Sequence, residues 1–295
     1  MSITPRKLAH YYGFPSLVRT GGDPLPGPDT TNAINVFKEY DMVVFGNGIS
    51  DPSHPDHDNT TTIISGLTTE GTDTYGYVDA TKPFLGAFID CNNWKDMGVT
   101  GIFFDQFGYD FNVSRIRQNA LVSFVRFLGL HSYVNAWNVD DVFDSAVNPT
   151  MNPLGLAPVI DGNDWYLAES YQIILNDYQT VSDWRTKSDK MLAYRSTFGT
   201  NMAAVTTTND QPFEQDKADY SYYSSVLDGL DAWGWGEQFF SAGDNLLPFR
   251  TRRAVFGSTF DSNISEDNGV FERNTNVGVL VDTNSKTVDY ILPRP

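Results

Sequence analysis

With a single cysteine, Cys91, this 295-residue chain can form no intramolecular disulfide and no cysteine-based metal site. Basic residues are scarce: 20 Lys and Arg stand against 37 Asp and Glu, a formal net charge of −17. The chain therefore lacks the basic face with which a nucleic-acid binder displaces phosphate counterions. Its field favours neutral or cationic partners, such as a neutral sugar or a polymer bearing free amines, although acidity also simply keeps a folded protein soluble. No stretch approaches the roughly 18 apolar residues of a membrane span, so no membrane insertion is expected. The opening Met-Ser-Ile-Thr-Pro-Arg-Lys-Leu-Ala-His has no apolar signal core, and an extracellular or virion-associated location would have to be reached by another route. Also missing are a P-loop, a Gly-x-Gly-x-x-Gly after a strand and a Gly-x-Ser-x-Gly elbow, which removes nucleotide-binding and serine-hydrolase readings and leaves no cofactor expected. His10, His54 and His57, the last two with Asp51, Asp56 and Asp58, invite a metal reading but match no metal-ligand spacing, and two prolines break the His54–His57 segment. A solvated loop without a metal is expected there.

What is present is a regular alternation. Short apolar runs and helix-like stretches follow one another almost to residue 260, the signature of β/α units and a parallel sheet. Eight strands are predicted: Ala9–Phe14, Asp41–Phe45 (running into Gly46-Asn47-Gly48), Thr74–Asp79, Val99–Asp105, His131–Ala136, Asp164–Glu169, Met202–Thr207 and Leu230–Trp235. The best helix is Ser114–Leu128, where Ile116, Ala120, Val122, Phe124 and Phe127 form an apolar stripe with Arg115, Arg117 and Arg126 outside it. Helices are also expected near Ser182–Tyr194 and Phe213–Leu227. Pro24–Pro28 reads as a surface loop, and the Pro- and Gly-rich Asn148–Gly162 as a functional rim. The fold class is thus a (β/α)8 TIM barrel over residues 1–260. A C-terminal β-hairpin appendage over 261–295 would be built from Gly269–Glu272, Gly278–Asp282 and Thr287–Leu292, and is too small to bury a core alone.

Three predicted strands end in carboxylates, Asp79, Asp105 and Glu169, and barrel closure carries those ends to the one face where such barrels hold their chemistry. Glycoside cleavage needs two carboxyl groups, one protonated as acid and one acting as nucleophile or base. Asp105 and Glu169 are the pair selected, with Asp79 in support. The competing reading of Asp105 is a helix cap, since Ser114 and a helix follow closely. Aromatics crowd the same ends. Tyr75, Tyr77, Phe107, Tyr109, Trp137, Trp165, Trp233 and Trp235 suit stacking on sugar rings, but those inside strands, such as Tyr75 and Phe103, are read as barrel filling, and Trp137, Trp233 and Trp235 are the better ligand candidates. Gln106, Tyr109, Asn135, Trp137, Trp233, Trp235 and Glu237 are taken as candidate substrate-binding residues.

Thr74-Tyr-Gly-Tyr-Val-Asp79 and Trp94-Lys-Asp-Met-Gly-Val-Thr-Gly-Ile-Phe-Phe-Asp105 resemble the spherulin-like and polygalactosaminidase-like glycoside hydrolase barrels, and Phe271-Glu-Arg-Asn-Thr-Asn-Val-Gly-Val-Leu-Val-Asp282 imperfectly resembles the closing hairpin of glycosidase barrels. The resemblance implies a catalytic acid on the fourth strand, carried by Asp105, and a second on the sixth, carried by Glu169. Spherulin-like members often place another acid directly after the fourth-strand Asp, and this chain has Gln106, which cannot titrate. Two functions follow: cleavage of an extracellular polysaccharide, amino-sugar ones included, or non-catalytic binding of a cell-surface glycan by a virion tail or capsid-fibre module assembled with other virion proteins. The second draws on the likeness of Tyr11-Tyr-Gly-Phe-Pro-Ser-Leu and Phe104-Asp-Gln-Phe-Gly-Tyr-Asp-Phe to phage-encoded barrels. A lyase or isomerase on the same face is a third.

Overall fold

The computed structural model describes residues 3–291 apart from 22–24, 47, 210–211, 239–244, 253–255, 257–258 and 276. Pro24, Asn47 and Leu292 of the expected elements lie outside the described residues. Eight parallel strands close into a barrel: β1 (Arg6–Tyr11), β2 (Met42–Phe45), β3 (Asp73–Asp79), β4 (Gly101–Asp105), β5 (His131–Asn135), β6 (Trp165–Ala168), β7 (Asn201–Val205) and β8 (Ala232–Gly234). Among the described residues seven α-helices accompany them: α1 (Thr30–Phe37), α2 (His57–Glu70), α3 (Phe84–Asp96), α4 (Arg115–Phe127), the one-turn α5 (Asp140–Phe143), α6 (Val181–Phe198) and α7 (Gln215–Asp228). Among the described residues none is long and apolar enough to cross a membrane.

Strand alternation splits the core in two. Leu8, Met42, Val44, Tyr75, Phe103, Tyr133, Trp165, Leu167, Ala203, Val205 and Ala232 fill the barrel. Their neighbours Ala9, Val43, Ile102, Phe104, Val134, Tyr166, Ala204 and Trp233 pack outward under the helices. The first strand starts three residues earlier than the apolar run suggests, because Arg6 and Lys7 pair with Ala232 and Trp233 of β8. That seam is short: β1 joins β8 through two residue pairs and β2 through four. After β8 no helix follows among the described residues, and residues 245–252 cross the outside of the seam instead.

Helix α4 is rotated from its sequence reading. Arg115, Gln118, Leu121, Val122 and Val125 face inward, whereas Ile116 and Phe127 are 53% and 83% exposed. Buried Arg115 is satisfied by carbonyls: its guanidinium donates to Val142 O, Asp141 O and Asp144 O. Gln118 likewise donates to Phe107 O and Asp141 O, so the inner face of α4 fastens the segments that follow β4 and β5. The loop 148–162 starts at the N-terminal end of α4, where Met151 O accepts from Arg115 N at 2.9 Å. It runs along the outside of α4, held by Asn119 to Ala157 O and Val159 N and by Arg126 to Val159 O, in the place a longer fifth helix would take. Residues 51–55 form the solvated turn expected there, mostly exposed, and the segment is pinned at its end. Buried Asp56 accepts from Ser16 N and Oγ and from Asn59 Nδ2, and the His57 ring donates to Ile49 O at 2.9 Å.

The C-terminal region is a four-stranded antiparallel sheet rather than a hairpin: β9 (Ser265–Asp267), β10 (Val270–Arg273), β11 (Gly278–Asp282) and β12 (Thr287–Ile291). The extra strand was missed because Ser-Glu-Asp has no apolar member to signal it. The sheet docks on α6 and α7. Phe271 meets Trp184 edge-on with centroids 5.1 Å apart, and Arg273 donates to Leu227 O at 2.9 Å.

Candidate active site

Counting inward residues up each strand leads to one cluster. Phe103 and Asp105 share a face of β4, Tyr133 and Asn135 of β5, Leu167 of β6 with Glu169 just past its end, and His10 of β1 with Tyr12 just past its end. Asp105 Oδ1 accepts from the Gln106 N–H at 2.8 Å and from Asn135 Nδ2 at 2.9 Å, and Oδ2 accepts from the Tyr77 hydroxyl at 3.0 Å. The same Asn135 Nδ2 donates to Glu169 Oε2 at 2.8 Å. One amide nitrogen, with its two hydrogens, thus spans both carboxyl groups. The bonded oxygens are no farther apart than these two hydrogen bonds laid end to end.

The two acids differ in surroundings. Burial pushes the Glu169 carboxyl above the usual glutamate range; the Asn135 donor opposes this, the charge of Asp105 adds to the rise and Lys187 counters it. Burial also raises the Tyr12 and Tyr77 phenols, with Asp105 the next contributor to each. The rings of Tyr12 and Tyr77 meet edge-on at 5.4 Å, and Tyr12 fits only because residue 46 is Gly, whose added Cβ would fall 2.4 Å from the ring. The pocket between the acids is lined by His10, Tyr12, Phe103, Asp105, Asn135, Leu167, Glu169 and Val205 and has a volume of about 20 Å³, room for a single water molecule.

His10 sits beneath the acids, 5% exposed, with no hydrogen-bond partner on either ring nitrogen among the described residues. Burial lowers its pKa from 6.5 to about 3. The folded chain therefore refuses a proton that the unfolded chain accepts. This contribution to stability is complete above pH 6.5 and is lost as pH falls toward 3, by up to about 1.4 kcal/mol per pH unit. In urea titrations between pH 7 and 4, the wild type is expected to lose stability more steeply than His10→Gln; equal slopes would remove His10 from the account.

Both carboxylates are followed by a residue in the left-handed region, Gln106 at φ 56° and Ser170 at φ 58°. Such backbone costs a non-glycine residue about 1–2 kcal/mol and recurs at functional sites. Gln106→Gly is expected to raise unfolding free energy by up to about 1 kcal/mol, after allowing for the greater freedom of glycine in the unfolded chain. A measured loss would mean that the Gln106 side chain contributes more than its backbone costs.

The remaining candidates scatter. Asp79 is level with Asp105 in the sheet, but its Oδ1 accepts from Thr81 N and Oγ1, both at 2.7 Å, and so caps its own turn. Tyr109 donates its N–H to Asp141 and turns its ring to Arg115. Trp137 is 53% exposed beside the acids, with Lys187 Nζ 4.9 Å from its ring centre. Trp233 points out of the barrel, its indole N–H bonded to Ser221 Oγ at 2.9 Å. Trp235 packs edge-on against Phe213, and Glu237 pairs with Arg250 through both oxygens. These last three line a separate cavity of about 180 Å³ over the β1–β8 seam, which meets the carboxylate pocket only at His10. Sequence reading did not single out Tyr12, His10 or Lys187 for the site. The period-two pattern started from Leu8 would have put His10 and Tyr12 on the inner face; for Lys187, in the middle of a helix, the sequence holds no signal.

No protein-family model and no curated protein sequence matches the chain. Among solved structures its backbone is similar to the glycoside hydrolase domain of PelA from Pseudomonas aeruginosa, with TM-score 0.47 and 13% identity over 79% of this chain and 96% of that one. It is similar to the cellulose synthase subunit Z from Clostridioides difficile, with TM-score 0.48 and 9% identity over 80% and 93%. PbGH5A, a glycoside hydrolase family 5 enzyme from Prevotella bryantii B14, gives TM-score 0.47 and 12% identity over 82% and 92%. Likeness at such identities concerns the fold and not the chemistry.

Proposed function

We propose that this barrel cleaves an extracellular polysaccharide with retention of anomeric configuration, Glu169 acting as acid and base and Asp105 as nucleophile. The observation that carries the reading is the Asn135 amide bridging the two carboxyl groups. It bounds the facing oxygens by two hydrogen bonds end to end, which admits the about 5–5.5 Å used by retaining enzymes and falls short of the 6.5–9.5 Å that leaves room for an inverting water. The acids are also dissimilar in the required sense. Glu169, raised by burial, is suited to hold a proton for the leaving oxygen, and Asp105, held on both oxygens by Asn135, Gln106 and Tyr77, is oriented to attack the anomeric carbon. In the second step Glu169 takes a proton from the water that releases the sugar. Asp79, adjacent in register, supports Asp105 through the strand pair rather than by contact with substrate.

A second reading rests on the volume between the acids. A pocket of about 20 Å³ admits water but no sugar ring, and Gln106 replaces a possible third acid. In this reading the face binds glycan without cutting it, as a virion module does. The test is incubation with a panel of bacterial and plant polysaccharides, followed by reducing-end assay and proton NMR of the first anomer released. Retention is expected. Inverted product would reject Asp105 as nucleophile, and binding without release from any member would establish the second reading.

A further inference from the structure

Beside the carboxylate pocket lies a groove of about 720 Å³ between the segment after β5 and the start of α6, with Trp137, Tyr178, Lys187 and Lys190 in its lining. Its charges are unevenly matched. Lys190 is neutralised by an ion pair with Asp140. Asp183 is occupied by the Thr180 hydroxyl at 2.7 Å, in the cap that starts α6. Lys187 has no charged partner: its Nζ donates to the Glu169 carbonyl oxygen at 3.4 Å and lies 4.9 Å from the ring centre of Trp137, and among the described residues no carboxylate lies within ion-pair distance. A half-buried ammonium without a counterion is costly to keep, and a ligand that brings the missing negative charge relieves that cost. Trp137 lies alongside with half its surface open, an aromatic face for a sugar ring.

We propose that this groove is a subsite for a uronic-acid unit of the glycan, the sugar carboxylate paired with Lys187 Nζ and the ring set against Trp137. The inference rests on the glycan reading of the barrel and gives it a substrate class. It reverses, locally, what the net charge of −17 suggests: the bulk field favours cations, but the unpaired group at the mouth of the site is itself a cation. Burial supports the geometry by lowering the Lys187 ammonium to about 8, with Glu169 opposing the shift; its positive charge at neutral pH is held against desolvation, which a bound carboxylate offsets.

The test is calorimetric binding in the Asp105→Asn background, which prevents turnover. The probes are the trisaccharides of galacturonate, glucuronate and mannuronate and the methyl ester of each, which keeps the shape and removes the charge. At least one acid is expected to bind tenfold or more tightly than its ester. Lys187→Met should erase that preference and leave ester affinity within about twofold, Lys187→Arg should keep it, and Trp137→Ala should weaken acid and ester alike. The subsite is overturned if no acid is preferred to its ester, or if the preference survives Lys187→Met. Absence of cleavage by the wild type with the acid preference intact would reject the hydrolytic reading alone, and cleavage of a neutral glycan without any acid preference would reject only the subsite.

Discussion

Glu169→Gln is expected to lower the rate of polysaccharide cleavage by about 10²- to 10⁴-fold, the usual worth of a positioned acid–base group, while the circular dichroism spectrum stays that of the wild type. The side chain is nearly isosteric, and the amide oxygen can still accept from Asn135 Nδ2, so the bridge between the two positions survives. The loss should depend on the leaving group. An aryl glycoside whose phenolate departs without protonation needs no acid in the first step, and the variant should form its glycosyl-enzyme nearly as fast as the wild type. Added azide, which needs no base to attack, should then release the intermediate and restore turnover. The pH profile gives an independent reading. Since the acid works when protonated, and burial raises its pKa, wild-type kcat/KM should hold into a pH range where an ordinary glutamate has already ionised, then fall as pH rises through the raised value. Glu169→Gln should lack that alkaline fall. An equal loss on activated and natural substrates, with no azide rescue, would remove Glu169 from the acid–base role.

The largest stability effect is expected far from the site, at Asp228. Its carboxylate is fully buried at the end of α7 and accepts from the Tyr171 hydroxyl at 2.7 Å, from the Trp184 indole at 3.1 Å and from the Arg185 guanidinium. Arg185 lies over both Trp184 and Phe271, so a single carboxylate joins α6, α7 and the C-terminal sheet. Asp228→Ala leaves the Tyr171 hydroxyl without an acceptor, the Trp184 indole with only the Tyr171 oxygen at 3.2 Å, and the Arg185 guanidinium with only the exposed Asp189. The expected cost is about 3–5 kcal/mol in guanidinium unfolding. Because part of that cost is the guanidinium left with Asp189 alone, pairing the change with Arg185→Met should recover some of it. A double variant no better than the single one would show that lost packing, not the unpaired charge, sets the penalty.

The barrel was legible because alternation along a strand and the spacing of strands are local properties, and all eight strands were located to within a few residues. Rotation of a helix about its own axis is not local. In α4 the apolar stripe and the buried face differ because Arg115 finds three carbonyls in a segment some thirty residues downstream, and no window on the helix contains them. The same limit explains the site. Asp105, Asn135 and Glu169 could be grouped from strand ends alone, whereas Trp233, from an equally convincing strand end, turns outward to Ser221. Parity decides between them, and an error of one residue in where a short strand begins exchanges the two faces. Lys187 depends on the path of α6 past Glu169, which only the assembled barrel defines.

The two-pair joint between β1 and β8 has a kinetic consequence. A closed barrel yields where its ladder is shortest, so the amides of Arg6 to His10 should exchange with deuterium well before those of β3, β4 and β5, whose ladders are longer and whose outer faces lie under helices. His10 lies just past this joint on β1, paired with Val44 of β2, and forms part of the wall of both the carboxylate pocket and the seam cavity. Transient parting of the seam would therefore widen the chamber beneath Asp105 and Glu169, and a glycan that occupies that chamber should alter the exchange of β1 more than that of any other strand.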